Sequence, residues 1–168
     1  VSLNGREQEA YDASGLPKIT FMDAMKFYFN GNTIEIVYTG PGHTDGDAQV
    51  YFRESNVLHT GDMFVRYGLP FIDQPNGGTT SGMIDSLWEI AGLIDDDTII
   101  IPGHGQLAKR SDLLEYRSML VTIRERLQAA IAQGQSADQV VASDVVEGFA
   151  APGAGTERWV RAAYEEYR

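Results

Sequence analysis

The chain has 168 residues, enough for one domain with its own core. A formal net charge of −11 argues against a nucleic-acid footprint and against docking to an anionic membrane surface, and no apolar run approaches the roughly 20 residues that span a bilayer. There is no cysteine, which excludes disulfides, thiolate catalysis and thiolate zinc sites and leaves the compartment open.

Residues 1–17 are polar up to Pro17 and read as a loose lead-in with helical character at its start. A start at Val1 rather than Met points to a removed upstream segment. Apolar stretches follow at 18–21, 24–29 and 33–38. The "NGN" at 30–32 predicts a hairpin between the last two, because Asn-Gly accepts the positive φ of a tight primed turn. "DAQVYF" (47–52) alternates, which puts Ala48, Val50 and Phe52 on one face. "RESN" turns the chain into a short strand at 57–59. Residues 63–80 read as a long loop with Pro70, Pro75 and Gly77-Gly78, a length that goes with function or a lid. Thr80 or Ser81 is the expected N-cap of a helix with Ile84, Leu87, Trp88 and Ala91 at helical spacing. "TIII" (98–101) is a buried strand ending at Pro102-Gly103. From Ser111 to Gln133 a long helix places Leu113, Tyr116, Leu120, Ile123, Leu127 and Ile131 on one stripe. Two shorter helices are expected near 136–147 and 156–167. A β-meander followed by helix, strand and helices makes the class α/β (α+β), with a helical C-terminal region from about residue 111.

Three short motifs carry the chemistry: "GHTDGD" (42–47), "HTGD" (59–62) and "PGHG" (102–105). Each sets a His or Asp on a glycine-bearing turn at a strand end, where glycine permits a sharp bend and close approach of a ligand. Imidazole nitrogen and carboxylate oxygen are donors that suit zinc. One such turn is a weak signal. Three in this order are a strong one.

In those motifs the sequence resembles the metallo-β-lactamase superfamily over about residues 18–135. The resemblance implies the C-terminal αβ half of a four-layer αβ/βα sandwich and a hydrolase that uses metal-bound hydroxide on an amide, lactam, thioester or ester carbonyl of a small-molecule substrate. Carried across by position, His43 would hold the first zinc, Asp62 would bridge the two and act in catalysis, and His104 would hold the second. Thr44 and Asp47 would support the His43 turn. His59 matches a non-ligand position and reads as a structural histidine at a strand end. Asp45 stays open between a turn carboxylate and a site group. Arg66, Tyr67 and Lys109 could face a substrate, with ordinary surface or loop roles preferred. Two other readings stand beside the hydrolase: an iron-binding redox protein of the same fold, and a non-catalytic fragment or binding module.

The family's "HxHxDH" loop is absent, and three histidines cannot supply it. The resemblance therefore implies a partial domain over 1–168, lacking the N-terminal half, with weak or absent zinc binding alone. One sheet face would also lack its cover. The missing half would be a separate chain or a segment of a longer one, or two copies would dimerise through the open sheet.

Overall fold

The computed structural model describes Glu9 and residues 11–168. The helical character expected at the chain's start falls outside the described residues. Residues 18–21 form no strand. Five strands make one sheet in chain order: β1 (Ala24–Phe29), β2 (Asn32–Tyr38), β3 (Ala48–Phe52), β4 (Val57–Val65) and β5 (Ile99–His104). The first four pair antiparallel, and β5 runs parallel to β4. The β1–β2 hairpin closes on Asn30 (φ 50°) and Gly31 (φ 77°), the two positive angles that a primed turn requires.

β4 runs well past the strand expected at 57–59. Its pairing with β5 is irregular between His59 and Gly61 and again between Gly61 and Val65. Met63, Phe64 and Val65 are all buried, so the alternation that marks a strand is lost there and the segment reads as loop. The loop itself begins only at Arg66. His59 consequently lies inside a strand and not at its end.

Helices α1 (Thr80–Leu93), α2 (Arg110–Ala132), α3 (Ala137–Ala142) and α4 (Ala154–Tyr167) follow. The N-cap of α1 is Thr79, one residue before the expected position; its side chain accepts from the Gly82 N–H at 3.0 Å. α1 and the first half of α2 pack on one sheet face, with Met83, Ile84, Leu87, Leu113 and Leu120 against Tyr51, Leu58 and Ile100. The rest of α2 joins α3 and α4 in a second cluster that includes Ile123, Leu127, Val140, Val160 and Tyr164. Ala130 takes the buried place expected of Ile131, which is half-buried. α3 ends at Ala142, short of the expected 147. Trp88 is also a correction: it is exposed, with the Arg117 guanidinium 5.0 Å from its ring. Helical spacing put it on the edge of the buried arc, and the arc stops short of it.

Across the sheet the register aligns Phe27, Ile34, Phe52, Val57 and Ile99, and beside them Met25, Ile36, Val50, His59 and Ile101. This face points away from the helices. Phe27 and Ile99 on it are 39% and 40% exposed. Ala48, Val50 and Phe52 do share a face, but it is this open one. Gln49 and Tyr51 face the core.

Candidate functional site

His43 stands in the loop between β2 and β3. Its own turn holds it: the Thr44 N–H donates to Asp47 Oδ2 at 2.6 Å, and the Gly46 N–H to Thr44 Oγ1 at 3.2 Å. The following long loop holds it from outside, since the Asp73 N–H donates to the His43 carbonyl at 2.8 Å. On the ring, Nδ1 lies 2.8 Å from the Phe71 carbonyl oxygen. A carbonyl can only accept, so Nδ1 carries the proton and Nε2 is left with a free lone pair. That lone pair faces Asp62, with Nε2 to Oδ2 at 3.6 Å.

Asp62 follows Gly61, whose φ of 54° kinks β4. Its second oxygen, Oδ1, lies 3.5 Å from His104 Nε2 at the end of β5. Gly103 is the residue that lets β5 come this close. A Cβ there would run into Asp62 Oδ1 and sit 2.8 Å from the Gly61 carbonyl carbon and oxygen. The sheet thus sets one carboxylate between two imidazoles, one oxygen to each.

These separations discriminate between two kinds of contact. At 3.5–3.6 Å the pairs are too long for hydrogen bonds. Two donors each about 2.1 Å from one tetrahedral zinc stand roughly 3.4 Å apart. The residues present therefore fit a metal in donor type and spacing, at two positions that share Asp62. Each position has two protein donors, whereas a catalytic zinc takes three. Among the described residues no group of three or more His, Cys, Asp or Glu could hold an ion.

The other residues singled out in the sequence are placed as follows. Asp47 and Thr44 make the turn hydrogen bonds above. His59 is exposed on the open sheet face, where its Nδ1 accepts from the Gly61 N–H at 3.0 Å. The Asp45 N–H donates to the Asn76 carbonyl, and its side chain lies against Gly77. Arg66 pairs with Asp112 at 3.1 Å, and its N–H donates to the His104 carbonyl at 3.0 Å. Lys109 Nζ donates to the Asp97 carbonyl at 2.7 Å. Tyr67 sets its ring edge-on to His104, centroids 5.5 Å apart. Burial first, and the Asp62 charge second, push the Tyr67 phenol above its ordinary value of 10.0. The Phe71 carbonyl is the group that sequence reading missed. Backbone carbonyls leave no mark in a sequence, and the contact joins residues 28 apart.

The metallo-beta-lactamase superfamily profile matches residues 4–104. Among solved structures, the metallo-beta-lactamase from Pontibacter korlensis is 21% identical with a TM-score of 0.55, over 63% of this chain and 49% of its own. The stereoselective inverting sec-alkylsulfatase Pisa1 from Pseudomonas sp. is 18% identical with a TM-score of 0.67, over 90% of this chain and 27% of its own. The DIM-1 metallo-beta-lactamase is 22% identical with a TM-score of 0.51, over 60% and 46%. The chain thus spans less than half the length of each. At these identities the likeness is one of fold.

Proposed function

We propose, because the chain belongs to the metallo-beta-lactamase superfamily and has its hydrolase fold, that it contributes one half of a two-zinc hydrolytic site. The observation that carries the reading is the placement of the Asp62 carboxylate between His43 Nε2 and His104 Nε2 at zinc-donor spacing. In this reading His43 and His104 each hold one ion and Asp62 is shared. The Phe71 carbonyl keeps the His43 lone pair aimed by taking the Nδ1 proton. Asp47 keeps the turn closed by accepting from Thr44. Zinc, when bound, lowers the pKa of its water to about 7 and polarises the bond to be cut. The substrate is a small molecule with an amide, lactam, thioester or ester bond. The Pisa1 likeness adds a sulfate ester to the panel to be assayed.

In this reading the remaining ligands come from outside the described residues. The apolar row Phe27, Ile34, Phe52, Val57 and Ile99 supports the same conclusion, because so broad an open face on a sheet calls for a cover. We assign that cover to a complementary N-terminal half, in the same or a separate chain. A second copy of this chain is the competing occupant, and it would bring no further zinc set of the missing kind.

The test is metal analysis of the protein purified in its native form, with turnover of the substrate panel. The expected result is two zinc ions per site and turnover abolished by Asp62→Ala. Iron without zinc, together with no hydrolysis of any member, would overturn the reading.

A further inference from the structure

A cavity of about 740 Å³ opens between the loop after β4 and helix α4. Its size falls within the roughly 300–1,000 Å³ of small-molecule sites. Two of its wall residues are also walls of the candidate metal centre. Tyr67 lines the cavity and sets its ring against His104. Phe71 lines it and gives its carbonyl to His43. A molecule reacting beside Asp62 therefore has this cavity as its neighbour on the loop side.

The wall chemistry indicates what would enter. Leu69, Phe149, Trp159 and Ala162 supply apolar surface. Three of the polar side chains there have one atom each partnered inside the protein, while the buried Trp159 indole N–H has no hydrogen-bond partner among the described residues. Gln74 Nε2 donates to the Ala162 carbonyl, Thr156 Oγ1 to the Ala151 carbonyl and Arg158 Nε to the Ala154 carbonyl. A polar group placed against Leu69, Phe149 and Ala162 would go unpaired, which is costly. An apolar chain loses nothing there and leaves those three bonds intact.

We propose that this cavity is a specificity pocket for an unbranched alkyl or acyl chain on the substrate, with the reactive group at the Tyr67–Phe71 end. The substrate class is then an ester, thioester or amide with an aliphatic tail. This rests on the hydrolase reading for the reactive end only. The chain pocket itself is read from the cavity.

The experiment separates the two. Trp159 lines the cavity, and the other tryptophan, Trp88, lies on α1 away from it. In a Trp88→Phe variant of the full chain, Trp159 fluorescence is titrated with 1-hexanol, 1-octanol and 1-decanol, with no metal added. The expected result is saturable binding that tightens by about fourfold per methylene, as burial of each CH₂ predicts. Ala162→Phe, which fills the cavity, should weaken 1-decanol binding at least tenfold. Gly155→Leu is the second filling variant, because nothing lies within 4 Å of a Cβ at that position. Affinity independent of chain length, or unchanged in both folded variants, would overturn the proposal. Alkanol binding in a protein that hydrolyses nothing leaves the pocket standing and removes the hydrolase. Hydrolysis indifferent to tail length does the reverse.

Discussion

Gly103→Ala is the perturbation that links the fold to the site most closely. The added methyl meets a carboxylate oxygen of Asp62 on one side and Gly61 backbone, at 2.8 Å, on the other. The Gly61 backbone cannot yield without moving β4, and the carboxylate can yield only by leaving its place between the two imidazoles. β4 and β5 must separate or Asp62 must turn away. Overpacking of this kind costs about 1–3 kcal/mol. In a chain of this length each kcal/mol moves Tm by about 2–4 °C, so the fall expected is roughly 2–12 °C. Returning the carboxylate to ordinary contact moves it by about 1 Å, and misplacement on that scale costs on the order of 100-fold in a positioned site. Gly92→Ala in α1 is the control with the opposite sign. Nothing lies within 4 Å of a Cβ there, and alanine in a helix gains about 0.5–1 kcal/mol over glycine. Both variants are compared with the parent by thermal unfolding followed by far-UV circular dichroism. If Gly103→Ala melts at or above the parent temperature, the close approach of β5 to Asp62 is wrong.

Three further outcomes follow from the same geometry. The Glu166 carboxylate accepts from the Thr80 N–H and Ser81 N–H, each at 2.8 Å, and from the Ser81 hydroxyl. Glu166→Ala should therefore cost about 2–3 kcal/mol in urea unfolding, and a loss under 0.5 kcal/mol would show that the C-terminal helix does not cap α1. Buried Glu35 accepts from Arg53, with Lys26 Nζ 2.5 Å from it. Lys26 first, then Arg53, hold its carboxyl below the ordinary 4.5 against the opposing effect of burial. A depressed carboxylate stabilises fully above its unfolded pKa, so this contribution is complete above about pH 4.5 and disappears as pH falls through the lower folded value. Urea midpoints measured against pH should fall less steeply below 4.5 in Glu35→Gln than in the parent, and parallel curves would refute it. Finally, ¹⁵N NMR at neutral pH should find the proton on Nδ1 in His43 and on Nε2 in His59, because the first ring faces a carbonyl and the second an N–H. The same tautomer in both would contradict these contacts.

Local features were the legible ones. Asn30-Gly31 announces its hairpin because two adjacent residues set its φ angles. The α2 stripe is legible because one helix face meets one core. His43, Asp62 and His104 stand out as polar groups on glycine turns, and the sheet brings them around one carboxylate. What was illegible depends on distant chain. β4 beyond His59 was hidden because Met63 through Val65 are buried on both sides. The alternation of β3 revealed a face but not which face carries the helices. Gln49 is fully buried there, with its Oε1 accepting from Thr39 Oγ1, while Phe52 is on the open side. The α1 N-terminus takes its acceptor from Glu166, 85 residues away from Ser81.

The proposal stands or falls on whether metal seats at Asp62, with His43 on one of its oxygens and His104 on the other, and not elsewhere on a chain of net charge −11. Paramagnetic broadening by Co²⁺ reads even a weak site by position. In a ¹⁵N-labelled sample, substoichiometric Co²⁺ should first erase the amide signals around His43, Asp62 and His104. Asp62→Ala should restore them, and His59→Ala should change nothing. Broadening centred on the Asp95–Asp97 turn, or spread evenly over the acidic surface and indifferent to Asp62, would contradict the claim.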